Sequence, residues 1–187
     1  MPELLGNTKN QKYFADMLSA IIWSIKRKFP AVKNISTDDL QKKLEQGKSE
    51  NVQLCLVDSR KREEFEVSHI PLAQFLDFKS ETSIIKEYLD TNFAQSENQK
   101  IEIVCYCSLG YRSSVLADKI SDILKEEPKA DKFEVYNLEG SIFKWANENK
   151  LLTNKDGGTV EYVHPFSSLW GILGLNLSKW NWGSGKT

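Results

Sequence analysis

The first regular pattern of apolar residues runs from residue 8 to residue 29 and repeats every three to four positions. This is the spacing of residues that share one face of a helix. The stripe consists of Phe14, Met17, Leu18, Ile21, Ile22 and Ile25. Basic residues fill positions 26–28, where the negative end of a helix dipole favours cations, and Phe29-Pro30 then ends the helix. We therefore predict an amphipathic helix that docks its apolar face on the rest of the protein, with binding at a membrane surface as the alternative.

Continuous apolar runs further along the chain predict three buried strands, at residues 52–57, 101–106 and 133–138. Helical patterns follow the capping residues 36–39, cover 83–92, run from Ser113 to Glu126, and begin again near Ser141. The helix at 83–92 is expected to bury Ile84, Ile85, Tyr88 and Leu89. Alternating strands and helices build a parallel sheet with helices on both faces. Such sheets bind ligands beyond the carboxyl ends of their strands, where both Asp58 and Cys107 fall.

Composition narrows the class of protein. Of the 187 residues, 40% are hydrophobic, which is enough for a core, and 27% are charged, which suits a soluble protein. The 25 basic residues nearly balance the 26 acidic ones, which argues against a nucleic-acid partner. No apolar run approaches the roughly 18 residues of a membrane span, and residues 1–12 are too polar for a signal peptide. Cys55, Cys105 and Cys107 form no disulfide framework, so we expect a cytoplasmic protein.

The loop between the strand at 101–106 and the helix from Ser113 is the strongest candidate for chemistry. Cys107 opens this loop and Arg112 closes it. A strand that runs directly into a helix points backbone N–H groups and the positive helix end at the loop, and both stabilise a thiolate. Gly110 permits a tight curl because glycine tolerates positive φ, and Arg112 can hold an anion near the sulfur. The alternative is a buried cysteine followed by an ordinary turn, since free cysteine packs as a small hydrophobe.

Three motifs, in order and over about residues 35–150, resemble the rhodanese family. The loop from Cys107 to Ser113 resembles that family's active-site loop. Its first motif is matched by Leu56-Val57-Asp58-Ser59-Arg60, Glu63-Glu64-Phe65 and Ser68-His69-Ile70-Pro71, and its last by Val135-Tyr136-Asn137-Leu138-Glu139-Gly140 with Phe143 and Trp145. Ser59 stands where valine is usual, and Ser141 follows Gly140 where a second glycine is common. We expect neither departure to touch the chemistry.

The resemblance implies an α/β fold with a parallel five-stranded sheet, to which this chain adds an N-terminal helix and an aromatic-rich C-terminal extension. It also implies sulfur transfer, in which Cys107 takes the outer sulfur of a donor, holds it as a persulfide and passes it to a nucleophilic acceptor. The implied substrate-binding loop consists of Ser108, Leu109, Gly110, Tyr111, Arg112 and Ser113. Asp58 and Arg60 are implied to be scaffold residues at the rim. From their spacing alone, Arg60 and Glu64 are interpreted as an i,i+4 pair on the surface of a helix.

The expected partner is a small sulfur donor, such as thiosulfate or a persulfide, or a protein persulfide or thiol. Ser108, Leu109 and Tyr111 carry no charge, so we expect poor turnover of thiosulfate and better transfer from persulfides. Backbone N–H groups can stabilise a persulfide anion without a metal or an organic cofactor. With only two histidines, far apart in the sequence, we also expect no metal site.

Other functions stay open at this point. Cysteine phosphatases of the dual-specificity cell-cycle type share the architecture, but their loop places five residues between cysteine and arginine where this chain has four. A cysteine hydrolase would need His69 as the base beside Cys107 and Asp58, although in the rhodanese family this histidine is structural. Cys105 could resolve a persulfide, although strand alternation places it inside the sheet. A protein-binding module with little catalysis is the alternative from another class, and the presence of Cys107 argues against it.

We divide the chain into an N-terminal helical extension (1–34), a rhodanese-like domain (35–151) and a C-terminal extension (152–187). The extension contains Trp170, Trp180 and Trp182 together with Tyr162 and Phe166. It is too short for a core of its own and too aromatic for a disordered segment. We expect it to pack on the domain or on the N-terminal helix, with a homodimer interface as the alternative, so that the protein is a monomer or a homodimer.

Overall fold

The computed structural model describes residues 3–47, 49, 51–94, 99–168, 179, 181 and 183, with side chains from residue 15 onward. Its helices are α1 (Glu3–Lys28), α2 (Thr37–Gln46), α3 (Arg62–Val67), α4 (Thr82–Phe93), α5 (Tyr111–Lys125) and α6 (Ser141–Asn147), with a 3-10 turn at Ala130–Lys132. Its strands are β1 (Lys33–Ile35), β2 (Val52–Asp58), β3 (Gln74–Phe75), β4 (Lys100–Tyr106), β5 (Phe133–Leu138), β6 (Leu152–Thr153) and β7 (Thr159–Val160).

Five strands form one sheet in the order β1-β5-β4-β2-β3, and every neighbouring pair is parallel. The predicted α/β fold with a parallel five-stranded sheet is therefore confirmed. The apolar runs predict β2, β4 and β5 to within one residue, but they do not predict β1 and β3, since strands this short carry little pattern. β1 crosses the expected boundary between residues 34 and 35, so the sheet begins inside the expected helical extension.

Side chains alternate between the two faces of the sheet and divide the core into two layers. Along β4, Val104 and Tyr106 belong to the layer that includes residues of α1, α2 and α6. Ile103 and Cys105 belong to the opposite layer, with residues of α4 and α5. The sheet is thus covered on both faces, and the carboxyl ends of β2, β4 and β5 meet at one edge.

Helix α1 docks on the first core layer, as the apolar stripe predicts. Leu18 is buried in this layer, and Ile21 and Ile22 pack against it. In α4 one expectation is wrong: Ile85 and Leu89 are buried, but Ile84 is about half exposed because it lies one position away from the buried stripe. No helix in the part of the chain that the structure describes is long and apolar enough to cross a membrane.

The chain beyond α6 returns to the domain. Strands β6 and β7 pair antiparallel, and Thr153 forms a bridge to His69. Leu152 and Val163 are buried in the first core layer, and the N–H of Val163 donates to the carbonyl of Lys179 at 2.6 Å. The expected packing of Trp170, Trp180 and Trp182 lies outside the described residues.

Candidate active site

The loop that carries Cys107 lies at the carboxyl edge of the sheet, between the central strand β4 and helix α5. The helix begins at Tyr111, two residues earlier than predicted, with Gly110 as its N-cap. Gly110 has a φ of 116°, in the left-handed region that favours glycine. Its N–H donates a hydrogen bond to the sulfur of Cys107 at 3.1 Å. The cysteine therefore faces a backbone donor at the positive end of α5.

Local charges and hydrogen bonds decide the protonation of Cys107. The residue is only 2% exposed, and burial by itself raises a thiol pKa. The charge of Arg112 and hydrogen bonds from Ser113 and Gly110 outweigh this burial, and the net effect is a pKa below the ordinary value. The Ser113 hydroxyl also lies 2.7 Å from Asn137 Oδ1, so its single proton can reach either of two acceptors.

The two other cysteines are chemically different. Burial raises the pKa of Cys55. Burial, and to a smaller extent the two neighbouring thiols, raise the pKa of Cys105. Both side chains pack in the core layer under α4 and α5, as predicted. Cys107 is the one cysteine of the three whose surroundings favour the thiolate.

The N-terminus of α6 fixes the backbone of the loop. Cys107 N–H donates to Ser141 Oγ at 3.1 Å, and the N–H groups of Ile142 and Phe143 donate to the carbonyls of Cys107 and Ser108. The Ser141 hydroxyl therefore supports the backbone of Cys107, a contact that the sequence did not predict. The signal in the sequence was the departure itself, a serine where a second glycine is common. In the structure this serine has a φ of 51°.

Arg112 is paired with Glu64, a residue that the sequence did not identify as part of the site. The two guanidinium nitrogens Nη1 and Nη2 donate to Glu64 Oε2 and Oε1 at 2.7 and 2.9 Å. Nη2 also donates to Ser108 Oγ at 2.8 Å. Burial raises the pKa of Glu64, but the charges of Arg112 and Arg60 and the Lys61 N–H outweigh it, so the pKa is lowered and the carboxylate is ionised.

The interpretation of Arg60 and Glu64 as a surface pair is wrong, since both side chains are buried and each has another partner. Arg60 binds Asp58 through Nε and Nη2, at 3.0 and 2.7 Å, and donates to the Ser68 carbonyl. Spacing cannot show this because Arg60 precedes α3 and points into the sheet edge. Together Arg60 and Asp58 join the end of β2 to the turn at Ser68, as expected of residues with a structural role.

His69 also has a structural environment. Its Nδ1 lies 3.0 Å from the Phe65 carbonyl, and its ring stacks on the Phe65 ring at 4.1 Å. Ser59, the other departure from the family pattern, donates through its hydroxyl to the Tyr106 carbonyl at 2.8 Å. The contacts of His69 hold the turn after α3 against that helix, and the Ser59 contact ties the end of β2 to β4; none of these contacts joins His69 to Cys107.

Two segments outside the sheet lie against the loop. From α1, Lys28 Nζ donates to Tyr111 Oη at 3.0 Å, and Phe29 meets the Tyr111 ring edge-on at 5.4 Å. From the C-terminal extension, the Phe166 ring lies 4.6 Å from the guanidinium of Arg112. The loop is therefore covered on one side by α1 and at Arg112 by Phe166.

A cavity of about 550 Å³ lies beside this site, between α3 and the C-terminal extension. Glu64 and Phe166 line it, together with Lys61, Glu63, Tyr162 and His164, whereas Cys107 does not. The cavity therefore adjoins the Arg112–Glu64 pair rather than the sulfur. Among the residues that the structure describes, no group of three or more His, Cys, Asp or Glu side chains could hold a metal ion.

The parallel sheet and the cysteine loop at its carboxyl edge together form the architecture that the three sequence motifs predict. Residues 36–148 match the family model of the rhodanese-like domain, and the chain belongs to that family. No curated protein matches it.

Solved structures show the same fold. The Saccharomyces cerevisiae protein Ygr203w, described as a protein tyrosine phosphatase of the rhodanese family, is 17% identical with a TM-score of 0.57, over 74% of this chain and 96% of that one. Thiosulfate sulfurtransferase from Pseudomonas aeruginosa is 12% identical with a TM-score of 0.52, over 76% of this chain and 23% of that one. At such identities the likeness shows the fold alone, and the descriptions of these two proteins name different activities.

Proposed function

We propose that this protein is a sulfurtransferase that carries a sulfur atom as a persulfide on Cys107. The observation that supports the proposal most is the environment of the sulfur. The Gly110 N–H at the start of α5 donates to it, and the surrounding groups lower its pKa despite burial. A thiolate is the nucleophilic form of cysteine, so this environment favours attack on a sulfur donor.

In the proposed reaction, the Cys107 thiolate attacks the outer sulfur of a donor R–S–S⁻. A new S–S bond forms on Cys107, the donor's S–S bond breaks, and its electron pair leaves with R–S⁻. A nucleophilic acceptor then attacks the outer sulfur of the Cys107 persulfide and releases the thiolate. No net oxidation occurs, and hydrogen bonds from Gly110 and the start of α5 stabilise the negative charge on sulfur.

The same loop argues against phosphate as the substrate. Four residues separate Cys107 from Arg112, so the cradle is smaller than the five-residue loop of the cysteine phosphatases. Two nitrogens of Arg112 already bind Glu64, which leaves this guanidinium poorly placed to hold phosphate oxygens. All three cysteines are free thiols, and we infer a reducing compartment, such as the cytoplasm, in which Cys107 stays reduced.

Sulfur loading followed by intact-mass analysis tests the proposal. The protein is incubated with glutathione persulfide, desalted and weighed, and we expect an adduct of one sulfur atom that cyanide removes as thiocyanate. The Cys107→Ser variant should lose the adduct, whereas the matched Cys105→Ser variant should keep it. An equal yield in Cys107→Ser would overturn the assignment. Hydrolysis of p-nitrophenyl phosphate without any adduct would instead favour a phosphatase, and neither activity would favour a binding module.

A further inference from the structure

Glu64 pairs with Arg112 beside the reactive cysteine. Both oxygens of Glu64 accept hydrogen bonds from its guanidinium, at 2.7 and 2.9 Å. The Glu64 side chain is 1% exposed and that of Arg112 is 12% exposed, so water screens the pair little. Such a bidentate, charge-assisted pair is among the strongest polar contacts in proteins. Arg112 still lowers the pKa of the neighbouring Cys107, but the Arg112–Glu64 pair as a whole adds almost no net charge that would attract an incoming donor.

Arg112 is also closed to new anions by its other neighbours. Ser108 Oγ accepts a further hydrogen bond from Nη2, and the Phe166 ring lies 4.6 Å from the guanidinium carbon. Glu64 itself is held in place by the Lys61 N–H at 3.2 Å and by the Ser108 hydroxyl at 3.3 Å. An anionic donor would have to displace Glu64, and this would leave a buried carboxylate without its partner, which is costly.

From this geometry we propose that Glu64 is a specificity-determining residue, which neutralises Arg112 and so selects organic persulfides over doubly charged donors such as thiosulfate. The inference rests on the proposed sulfur transfer. Attack on thiosulfate expels sulfite with two negative charges, which calls for an available cation at the loop. Attack on an organic persulfide expels a thiolate with one charge, which the backbone N–H groups at the start of α5 can meet.

The Glu64→Gln variant tests this role, because glutamine keeps the shape and a carbonyl acceptor for Arg112 but removes the negative charge. We expect kcat/KM for thiosulfate, relative to the singly negative donor cysteine persulfide, to rise at least tenfold. Glu63→Gln is the matched control, because the exposed Glu63 precedes Glu64 in α3 and its carboxylate pairs with Lys61. It should leave the ratio unchanged. A ratio in Glu64→Gln that equals the wild-type ratio would overturn the proposal.

A second measurement needs neither sulfur transfer nor a variant. Iodoacetate and iodoacetamide alkylate thiolates and differ in charge, so the ratio of their rates at Cys107 reports the charge that an anion meets. The ratio is the rate with iodoacetate divided by the rate with iodoacetamide, read by peptide mass spectrometry. We expect this ratio, divided by the same ratio for free glutathione, to be about one or lower in the wild type. A tenfold higher ratio would overturn the proposal. Failure of sulfur loading with a ratio near one would instead overturn the proposed function alone.

Discussion

The protonation of Cys107 depends on position more than on burial. Cys105, two residues upstream, is equally buried, but no cation or backbone donor faces its sulfur, and burial raises its pKa. At Cys107 the charge of Arg112 and hydrogen bonds from Ser113 and Gly110 reverse the effect of burial. The turn from β4 into α5 therefore separates a thiol whose pKa is raised from one whose pKa is lowered.

The pH dependence of alkylation measures this difference. Because the pKa of Cys107 is lowered, its reaction with iodoacetamide should rise with pH, reach half its maximum below about 8.5, the pKa of free cysteine, and then stay level. Ser113→Ala removes one donor and should move the midpoint upward. Ser121→Ala is the control, because the Ser121 hydroxyl binds a carbonyl of its own helix, α5. This variant should leave the midpoint unchanged. A wild-type midpoint at 8.5 or above would contradict the geometry.

The sequence predicted Cys107 as the candidate nucleophile, but it did not predict the distant residues that contact its loop. Cys107, Gly110 and Arg112 lie together in one loop, so their spacing alone predicts a thiolate cradle. Glu64 and Ser141 reach that loop from 48 and 34 residues away. Spacing rules describe neighbours within one helix or strand, so they assigned Glu64 to a surface pair and gave Ser141 no role.

Among the elements, α1 contributes more to the candidate site than a helix that only covers the sheet would contribute. Its apolar face lies against the two glycine turns of the site. A methyl of Ile25 lies 3.6 Å from the point that a Cβ on Gly110 would occupy, and a methyl of Ile22 lies 3.2 Å from the corresponding point at Gly140. Lys26 forms an ion pair with Glu139 at 2.5 Å. The helix thus holds the loops after β4 and β5 in place.

Replacing Ile25 with alanine should loosen this contact. Ile25 is buried, so we expect a loss of about 2–5 kcal/mol in the free energy of unfolding, together with faster alkylation of Cys107. Trp23→Ala is the control in the same helix, because Trp23 is 62% exposed and such surface changes stay within about 0.5 kcal/mol. Denaturant unfolding and alkylation kinetics measure both effects. A stability loss in Ile25→Ala without any change in alkylation would show that α1 does not restrain the loop.

The elements also show where hydrophobic patterning stops being informative. β2, β4 and β5 carry six or seven residues each, and their continuous apolar runs are sufficient to predict them. β1 and β3 contain three and two residues. They form because neighbouring strands offer unpaired backbone groups, which is a property of the assembled sheet and not of the local sequence.

In the molecule as a whole, the core does not end where the family match ends, at residue 148. Leu152 and Val163 are buried beside Tyr106 and Phe143 in the layer under α1. Val163 is also bonded through its backbone, since its N–H donates to the Lys179 carbonyl and its carbonyl accepts from the Asn181 N–H. The described part of the C-terminal extension therefore completes the first core layer.

A substitution at Val163 tests whether this contact stabilises the whole protein. Val163→Ala removes two buried carbon atoms and leaves a small cavity, which should cost about 2 kcal/mol. In a protein of this size that loss lowers the thermal midpoint by about 4–8 °C. Leu151→Ala is the control, because Leu151 is exposed and directly precedes the extension; its midpoint should move by no more than about 1–2 °C. If both variants melt with the wild type, the buried side chain of Val163 does not contribute to the stability of the protein.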